Sequence, residues 1–216
     1  MSKRRALDIA QLLQWQPMAA AAGLVPYSVP LAPLRAFVGS RDPNLCMKLE
    51  TLFKREIADN ASLQRQAIAD GAPTLDVALR HLCMGDVATR GHGAQYIYAL
   101  ELLCAHFGAK LRNGAVYPVD DEWLLRVVDP VFDAWGLGDT LKLKKLVYGR
   151  WPVRVPHAEF PRGGTLEADE VTRALEVMRR GALPRFDREV IGVIGDVRGW
   201  LEAAAGANAG LVCFYY

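Results

Sequence analysis

Cysteine is scarce in this chain, with four residues among 216. They are Cys46, Cys83, Cys104 and Cys213, and each lies within an apolar stretch. Four cysteines at these distances are too few for a disulfide scaffold. The sequence therefore predicts reduced, buried thiols that pack as small hydrophobic side chains, which favours a cytoplasmic protein.

Long hydrophobic runs are also absent. No window of the sequence approaches the ~18 apolar residues that a membrane-spanning helix needs. Near the N-terminus, Lys3-Arg4-Arg5 precedes an apolar segment, but Asp8 and Gln11 interrupt it, whereas a secretory signal needs an unbroken apolar region. We therefore expect a cytoplasmic protein with no membrane association.

The chain has no large excess of charge of either sign. Its 26 basic and 24 acidic residues give a formal net charge of +2, which argues against a dedicated nucleic-acid-binding protein and against polybasic membrane binding. Hydrophobic residues make up 51% of the chain and charged residues 23%. This composition is typical of a globular protein with one sizeable core.

Signature motifs of common enzyme families are missing too, both the glycine-rich phosphate-binding patterns and the glycine-flanked serine. The nearest approach to a metal site is two pairs, His81 with Cys83 and Cys104 with His106. Each pair is two residues apart in a predicted helix, so its side chains point about 200° apart around the axis and cannot bind one ion together. We predict neither a metal nor a cofactor.

Helical periodicity accounts for most of the chain. Asp42-Pro43 places a capping carboxylate before a proline at the first helical position, and apolar residues then recur at helical spacing as far as Ile57. The clearest helix is predicted over residues 95–107, with Gly108 at its end. Further helices are predicted over residues 34–38, 75–85, 120–135, 141–147, 167–178 and 187–201.

The last six residues, Leu211-Val-Cys-Phe-Tyr-Tyr216, are β-prone and uncharged. A strand of this composition would aggregate unless another element covers it. The candidate partners are residues 25–29, 116–117 and 153–155. Residues 25–29 contain one proline and precede another, which suits an edge strand, while residues 150–164, rich in proline and glycine, are predicted to form an irregular loop.

These elements predict an α+β fold, a predominantly helical single domain with a small sheet that includes the C-terminal strand. Both ends of the domain are expected to meet in that sheet. Residues 1–24 are predicted to form an N-terminal helical extension, and residues 25–216 the domain itself.

One constellation could carry acid–base chemistry. His92 precedes the helix that contains Glu101, and the 150–164 loop could close a pocket over both residues. An enzyme with an active site at these three places is one hypothesis. The alternative is a solvated histidine in a loop before a helix.

The densest basic segment is Lys142-Leu-Lys-Lys145, followed closely by Arg150, Trp151 and Arg154. Such a segment could bind an acidic protein or RNA. The alternative is a solvated helix face, and the low net charge of the chain argues against nucleic acid.

Several motifs carry a family resemblance. They are Tyr27-Ser-Val-Pro-Leu31, Val38-Gly-Ser-Arg-Asp42 and Trp200-Leu-Glu-Ala-Ala-Ala205 with the terminal aromatic strand after it. Over Tyr27–Tyr216 the chain resembles a family of uncharacterised bacterial proteins, a domain of unknown function whose members end in a strand of this kind. The resemblance implies a bacterial, cytosolic protein with one domain, and it transfers no functional residues.

Protein binding is the function that these features favour most. A small domain of near-neutral charge without a catalytic signature suggests an immunity protein that neutralises a cognate toxin. Protein interfaces rely on aromatic and arginine anchors, and the candidates are Arg90, Tyr98, Arg150 and Trp151, which lie in or beside predicted loops and are expected to be exposed. The oligomeric state and the identity of the partner stay open.

Overall fold

The structure is a computed structural model that describes residues 22–87, 92–138, 140–180 and 187–216. Of the predicted N-terminal extension, residues 1–21 lie outside the described residues. Leu24, which was assigned to that extension, is the first residue of a strand.

Within the described residues, four strands form one antiparallel sheet: β1 (Leu24–Val29), β2 (Ala109–Lys110), β3 (Arg162–Leu166) and β4 (Gly210–Tyr215). The strand order is β2-β1-β4-β3. Leu24 pairs with Tyr215 and Val29 with Gly210, so the two ends of the described domain lie side by side. This confirms the prediction of a small sheet that contains the C-terminal strand.

The prediction that residues 25–29 form an edge strand is wrong, because β1 has β4 on one side and β2 on the other. Proline is tolerated here for a geometric reason. The carbonyl of Pro26 accepts a hydrogen bond from the Leu111 N–H on the β2 side (2.9 Å), so the N–H that proline lacks would also point away from β4. On the same side of β1, the Leu24 N–H donates to the Val116 carbonyl oxygen (3.1 Å), and the Leu24 carbonyl accepts from Asn113 Nδ2 (2.7 Å).

The predicted loop over residues 150–164 ends in β3, which was not expected. Gly163 and Gly164 suggested irregular structure, but both lie in a regular ladder opposite Phe214 and Cys213. A Cβ on Gly163 would overlap the Trp151 ring, and one on Gly164 would overlap the backbone oxygen of Lys145. Close packing therefore requires glycine here. The other candidate strands, residues 116–117 and 153–155, do not join the sheet.

Helices make up most of the rest of the described chain. They are α1 (Leu31–Phe37), α2 (Pro43–Leu52), α3 (Lys54–Leu63), α4 (Arg65–Ala69), α5 (Leu75–Met84), α6 (Gly93–Phe107), α7 (Asp121–Trp123), α8 (Asp129–Ala134), α9 (Leu143–Tyr148), α10 (Ala168–Arg180) and α11 (Arg188–Gly206). A π-helical turn, Leu124–Val128, joins α7 to α8.

Local signals place several helix ends correctly. Asp42 caps α2, where its Oδ1 accepts hydrogen bonds from the N–H groups of Asn44 (3.0 Å) and Leu45 (3.1 Å). Gly85 ends α5 in the left-handed region, with φ +77°, a conformation that glycine adopts without steric cost.

The core consists of two apolar clusters, one on each face of the sheet. Leu211, Cys213 and Tyr215 of β4 face the cluster that contains α8–α11. Val212 and Phe214 face the cluster built from α1, α2, α5 and α6. This alternation follows the two-residue period of a strand, and it makes the molecule a single α+β domain with a central sheet. Of the described helices, none has both the length and the apolar character required to cross a membrane.

Candidate functional site

A groove with a volume of about 490 Å³ lies between the chain around α9 and the edge of β3. We call it the basic groove. It is lined by Gly138, Thr140, Leu141, Lys142, Lys144, Lys145, Tyr148, Gly149, Arg150 and Thr165. Four of these ten residues are basic, and none of the ten is acidic.

The start of α9 is held in place by Asp129 of α8. The buried Asp129 carboxylate accepts hydrogen bonds from the backbone N–H groups of Leu143 (2.6 Å) and Lys144 (3.0 Å). Burial raises the pKa of this carboxyl above its ordinary value, although both hydrogen bonds oppose the rise. An aspartate directly before a proline is typical of a cap for the helix that follows it, but the Asp129 side chain binds the N-terminus of α9 instead.

The opposite wall is fixed to the sheet. Tyr148 forms a parallel bridge with Gly163 of β3, and a Cβ on Gly149 would overlap the backbone oxygen of Lys145. The Arg162 guanidinium lies over the Tyr148 ring, with Arg162 Cζ 4.8 Å from the ring centroid. Arg162 also pairs with Asp121 through Nη1 and Oδ2 (2.9 Å). Tyr148 is therefore anchored while 47% of its surface stays exposed.

The four cations of the groove differ in their pairing. Lys142 pairs with Asp133 (3.0 Å, Nζ to Oδ1), and Lys145 pairs with Glu170. Lys144 and Arg150 are exposed, and neither side chain forms an ion pair or hydrogen bond with a described residue. About two positive charges of the described groove are therefore available to a ligand.

Thr165 of β3 also lines the groove. Only 8% of its surface is exposed, and its Oγ1 has no hydrogen-bond partner among the described residues. A buried hydroxyl without a partner is unusual, since most such groups are satisfied. This hydroxyl oxygen is enclosed by the protein, whereas the unpaired cations lie at the surface of the groove.

The four predicted anchor residues have different environments. Arg150 lies in the basic groove and is exposed. Trp151 is half-buried and packs on Phe214, with ring centroids 5.1 Å apart. Tyr98 has only 4% of its surface exposed and stacks on Tyr216. Arg90 lies outside the described residues. The expected exposure is therefore wrong for Tyr98, which is buried beside β4, while Trp151 is partly exposed and partly packed on that strand.

The two acid–base candidates lie apart along α6, with His92 directly before the helix and Glu101 in its middle. Eight residues from Gly93 to Glu101 correspond to roughly 12 Å along a helix axis. Glu101 is buried and accepts hydrogen bonds from the hydroxyls of Tyr27 (2.8 Å, to Oε1) and Tyr216. The 150–164 loop does reach the start of α6, where the backbone of His157 lies against Gly93. The structure thus brings the loop near His92, and it places Glu101 in a separate tyrosine cluster.

The histidine and cysteine pairs of the sequence also have separate partners. His81 Nδ1 lies 2.9 Å from the Tyr96 hydroxyl, and the Cys83 thiol donates to the Asp42 carbonyl oxygen (3.3 Å). In the described part of the chain, no three or more His, Cys, Asp or Glu side chains form a group that could hold a metal ion.

Sequence reasoning identified the basic segment of this site but missed two of its other components. Thr165 lies in a strand that was not predicted. Asp129 gave a signal, an acidic residue ahead of proline, but its hydrogen bonds go to a helix that begins 14 residues later. A pattern of local spacing does not reveal either contact.

Comparison with known protein families identifies the family of this chain. A family model described as a domain of unknown function, DUF7691, matches residues 21–216. The chain belongs to the DUF7691 family. The DUF7691 region contains both core clusters and the whole basic groove. Comparisons of this DUF7691 protein with curated proteins and with solved structures gave no match.

Proposed function

We propose that this DUF7691 protein is a protein-binding module that takes an acidic surface of its partner into the basic groove. The observation that carries the proposal is the groove itself, a concavity in which Lys144 and Arg150 are exposed and unpaired among the described residues. Complementary charge across an interface increases association rates and selects the partner.

The rim of the groove supports binding to a protein in particular. Tyrosine and arginine are enriched among the residues that dominate interface energies, and Tyr148 and Arg150 lie together here. Tyr148 is held by Arg162 and the bridge to β3, so its ring loses little conformational freedom on binding.

In its more specific form, the proposal is that the protein is an immunity protein and the partner is a cognate toxin. A basic groove suits this role because catalytic sites commonly contain carboxylates that act as acids, bases or metal ligands. Covering such a site would neutralise the toxin and satisfy the charges of Lys144 and Arg150 together.

Charge reversal in the groove tests this proposal. The double variant K144E/R150E is compared with K54E/R179E, which makes the same change at two exposed positions on α3 and α10. With the product of a neighbouring toxin gene as the partner, we expect K144E/R150E to raise the Kd about 100-fold, and the control less than about threefold. Binding and toxin inhibition are measured together.

Salt provides an independent readout, because screening weakens an interaction between exposed charges. The wild-type affinity should fall as salt is raised, and that of K144E/R150E should change much less. Equal losses in the two double variants, or wild-type inhibition by K144E/R150E, would contradict the proposal.

A further inference from the structure

We infer that the basic groove binds a partner segment in which acidic residues stand close to an aromatic residue. The aromatic ring packs on Tyr148, and the carboxylates pair with Lys144 and Arg150. The inference rests on the proposed function, since it takes the groove to be the surface that binds the partner protein. It goes further by naming the chemistry of the segment that binds.

The first argument is the surface that Tyr148 presents to a partner. Its hydroxyl donates a hydrogen bond to the Asp121 carboxylate and accepts one from Arg162 Nη1, so its polar end is already bonded within the domain. The Arg162 guanidinium also covers one face of the ring. Tyr148 nevertheless lines the groove, and 47% of its surface is exposed. What a partner meets at Tyr148 is therefore mainly apolar ring.

An apolar ring on the wall of a groove favours an aromatic partner. Two aromatic rings that stack with an offset, or meet edge to face, attract each other more than their buried area alone explains. The Asp121 carboxylate, which would repel an acidic partner, is paired with Arg162 (2.9 Å, Oδ2 to Nη1). Because these two residues also hold Tyr148 in place, its ring loses little conformational freedom when a second ring packs on it.

The second argument is the position of the unpaired cations beside this ring. Lys144 and Tyr148 are four residues apart on α9, and both line the groove. Side chains at this spacing share one helix face, with their Cβ atoms about 5–6 Å apart. Arg150 follows Tyr148 by two residues and also lines the groove. Lys142 and Lys145 are neutralised by carboxylates outside the lining, so the uncompensated charge of the described groove lies next to the ring.

The third argument is the fit of an extended peptide to this spacing. Alternate side chains of an extended chain share one face and repeat about every 6.4–6.8 Å. An acidic residue two positions from an aromatic residue can therefore reach Lys144 while the ring lies on Tyr148. RNA also combines rings with negative charge, but its charge repeats at every nucleotide, whereas only two cations of the groove lack a partner among the described residues.

An NMR titration of the isotope-labelled protein with the peptide acetyl-Glu-Ser-Phe-Ser-Glu-amide tests the inference. We expect the largest shift changes at the backbone amides of Lys144, Gly149 and Arg150. Replacing the phenylalanine of the peptide with alanine should weaken binding at least about fivefold, and so should replacing both glutamates with glutamine. Both comparisons change the peptide alone, so they do not depend on how a protein variant folds.

Variants of Tyr148 provide the complementary test. Y148F keeps the ring and should bind the phenylalanine peptide within about twofold of the wild type, whereas Y148S should bind it at least about fivefold more weakly. Y148S should bind the alanine peptide within about twofold of the wild type, because that peptide has no ring to lose. I191S changes an apolar residue of similar exposure on α11 and should leave both affinities unchanged.

Several results would overturn the inference. They are equal affinities for the phenylalanine and alanine peptides, wild-type affinity in Y148S, and no shift change at the groove amides with the peptide in large excess. Equally tight binding of a short RNA at the same amides would also overturn it. So would shift changes at these amides that follow protein concentration without peptide, which would assign the groove to a second copy of the chain.

The outcomes also separate this inference from the proposed function. A toxin complex that depends on Lys144 and Arg150, but is equally stable in Y148S, would remove this inference and leave the proposed function. Selective binding of the phenylalanine peptide without a toxin complex would remove the toxin as the partner and leave the preference of the groove.

Discussion

The Glu101 carboxyl group lies buried between two tyrosine hydroxyls, Tyr27 of β1 and Tyr216 after β4. Burial raises the pKa of Glu101, and the hydrogen bonds from Tyr216 and Tyr27 and the charge of Lys110 only partly oppose that rise. The other titratable groups near this carboxyl are Tyr98 and Cys104, and burial raises the pKa of both. Glu101 is therefore the carboxyl group of this cluster, and its pKa lies above the ordinary 4.5.

Replacing Glu101 with glutamine should change the pH dependence of stability. The folded-state pKa of Glu101 is raised above the ordinary 4.5, so its favourable contribution is complete below about pH 4.5 and is lost as the pH rises through the folded pKa. The free energy of unfolding of the wild type relative to E101Q, measured by urea denaturation, should therefore fall as the pH is raised above about 4.5.

A matched control for this experiment is E189Q, which changes an exposed glutamate in the first turn of α11. It should show a much weaker trend with pH, because water solvates an exposed carboxylate in both the folded and the unfolded state. A stability difference between wild type and E101Q that increases with pH would contradict the assignment of a raised pKa.

At the scale of the elements, Asp129 joins two helices that are distant in the sequence. Its buried carboxylate accepts two backbone N–H groups of α9. In D129A these two N–H donors lose their acceptor. A hydrogen bond to a charged group typically contributes about 1.5–3 kcal/mol to stability. Burial of the charge offsets part of that gain, so we expect D129A to lower the free energy of unfolding by about 3 kcal/mol.

Asp120 provides the comparison for D129A, since it also accepts a backbone N–H group, that of Glu122 (2.6 Å), but at an exposed local cap. D120A should cost only about 1 kcal/mol. Urea denaturation of both variants measures the difference. If D129A costs no more than D120A, Asp129 acts as an ordinary cap and does not position α9.

The elements that the sequence predicts correctly are those with local causes. Asp42 caps a helix that begins at the next residue, and Gly85 ends a helix in a conformation that favours glycine. The covering of β4 was also predictable, because a six-residue uncharged strand requires a partner. β3 was missed because its glycines are explained only by Trp151 and Lys145, which approach them from elsewhere in the chain.

The candidate site shows the same limit. The basic segment and Arg150 are visible in the sequence as a cluster of charge. Which cations stay unpaired depends on Asp133 and Glu170, up to 25 residues away from their partners. Tyr98 was expected on the surface because it lies near a loop, and only the position of the terminal residue Tyr216, which stacks on its ring, explains why it is buried.

At the scale of the whole molecule, β4 couples the two core clusters. Its neighbouring residues Leu211 and Val212 are both fully buried, yet they face opposite clusters. Strands β1 and β3 flank β4 on its two edges. A defect on either face of β4 therefore affects the sheet that supports both helical layers.

This coupling predicts the effect of a single charge in the strand. V212D buries an unpaired carboxyl in the cluster that contains α5 and α6, at a cost of at least about 4 kcal/mol. Amide hydrogen exchange should show protection lost in α6 and equally in α11 on the other side of the sheet, because the two layers unfold as one unit. I191D places the same group where 44% of the side chain is exposed, and protection there should stay close to wild type. Loss confined to the α1–α6 side in V212D would show two independent units.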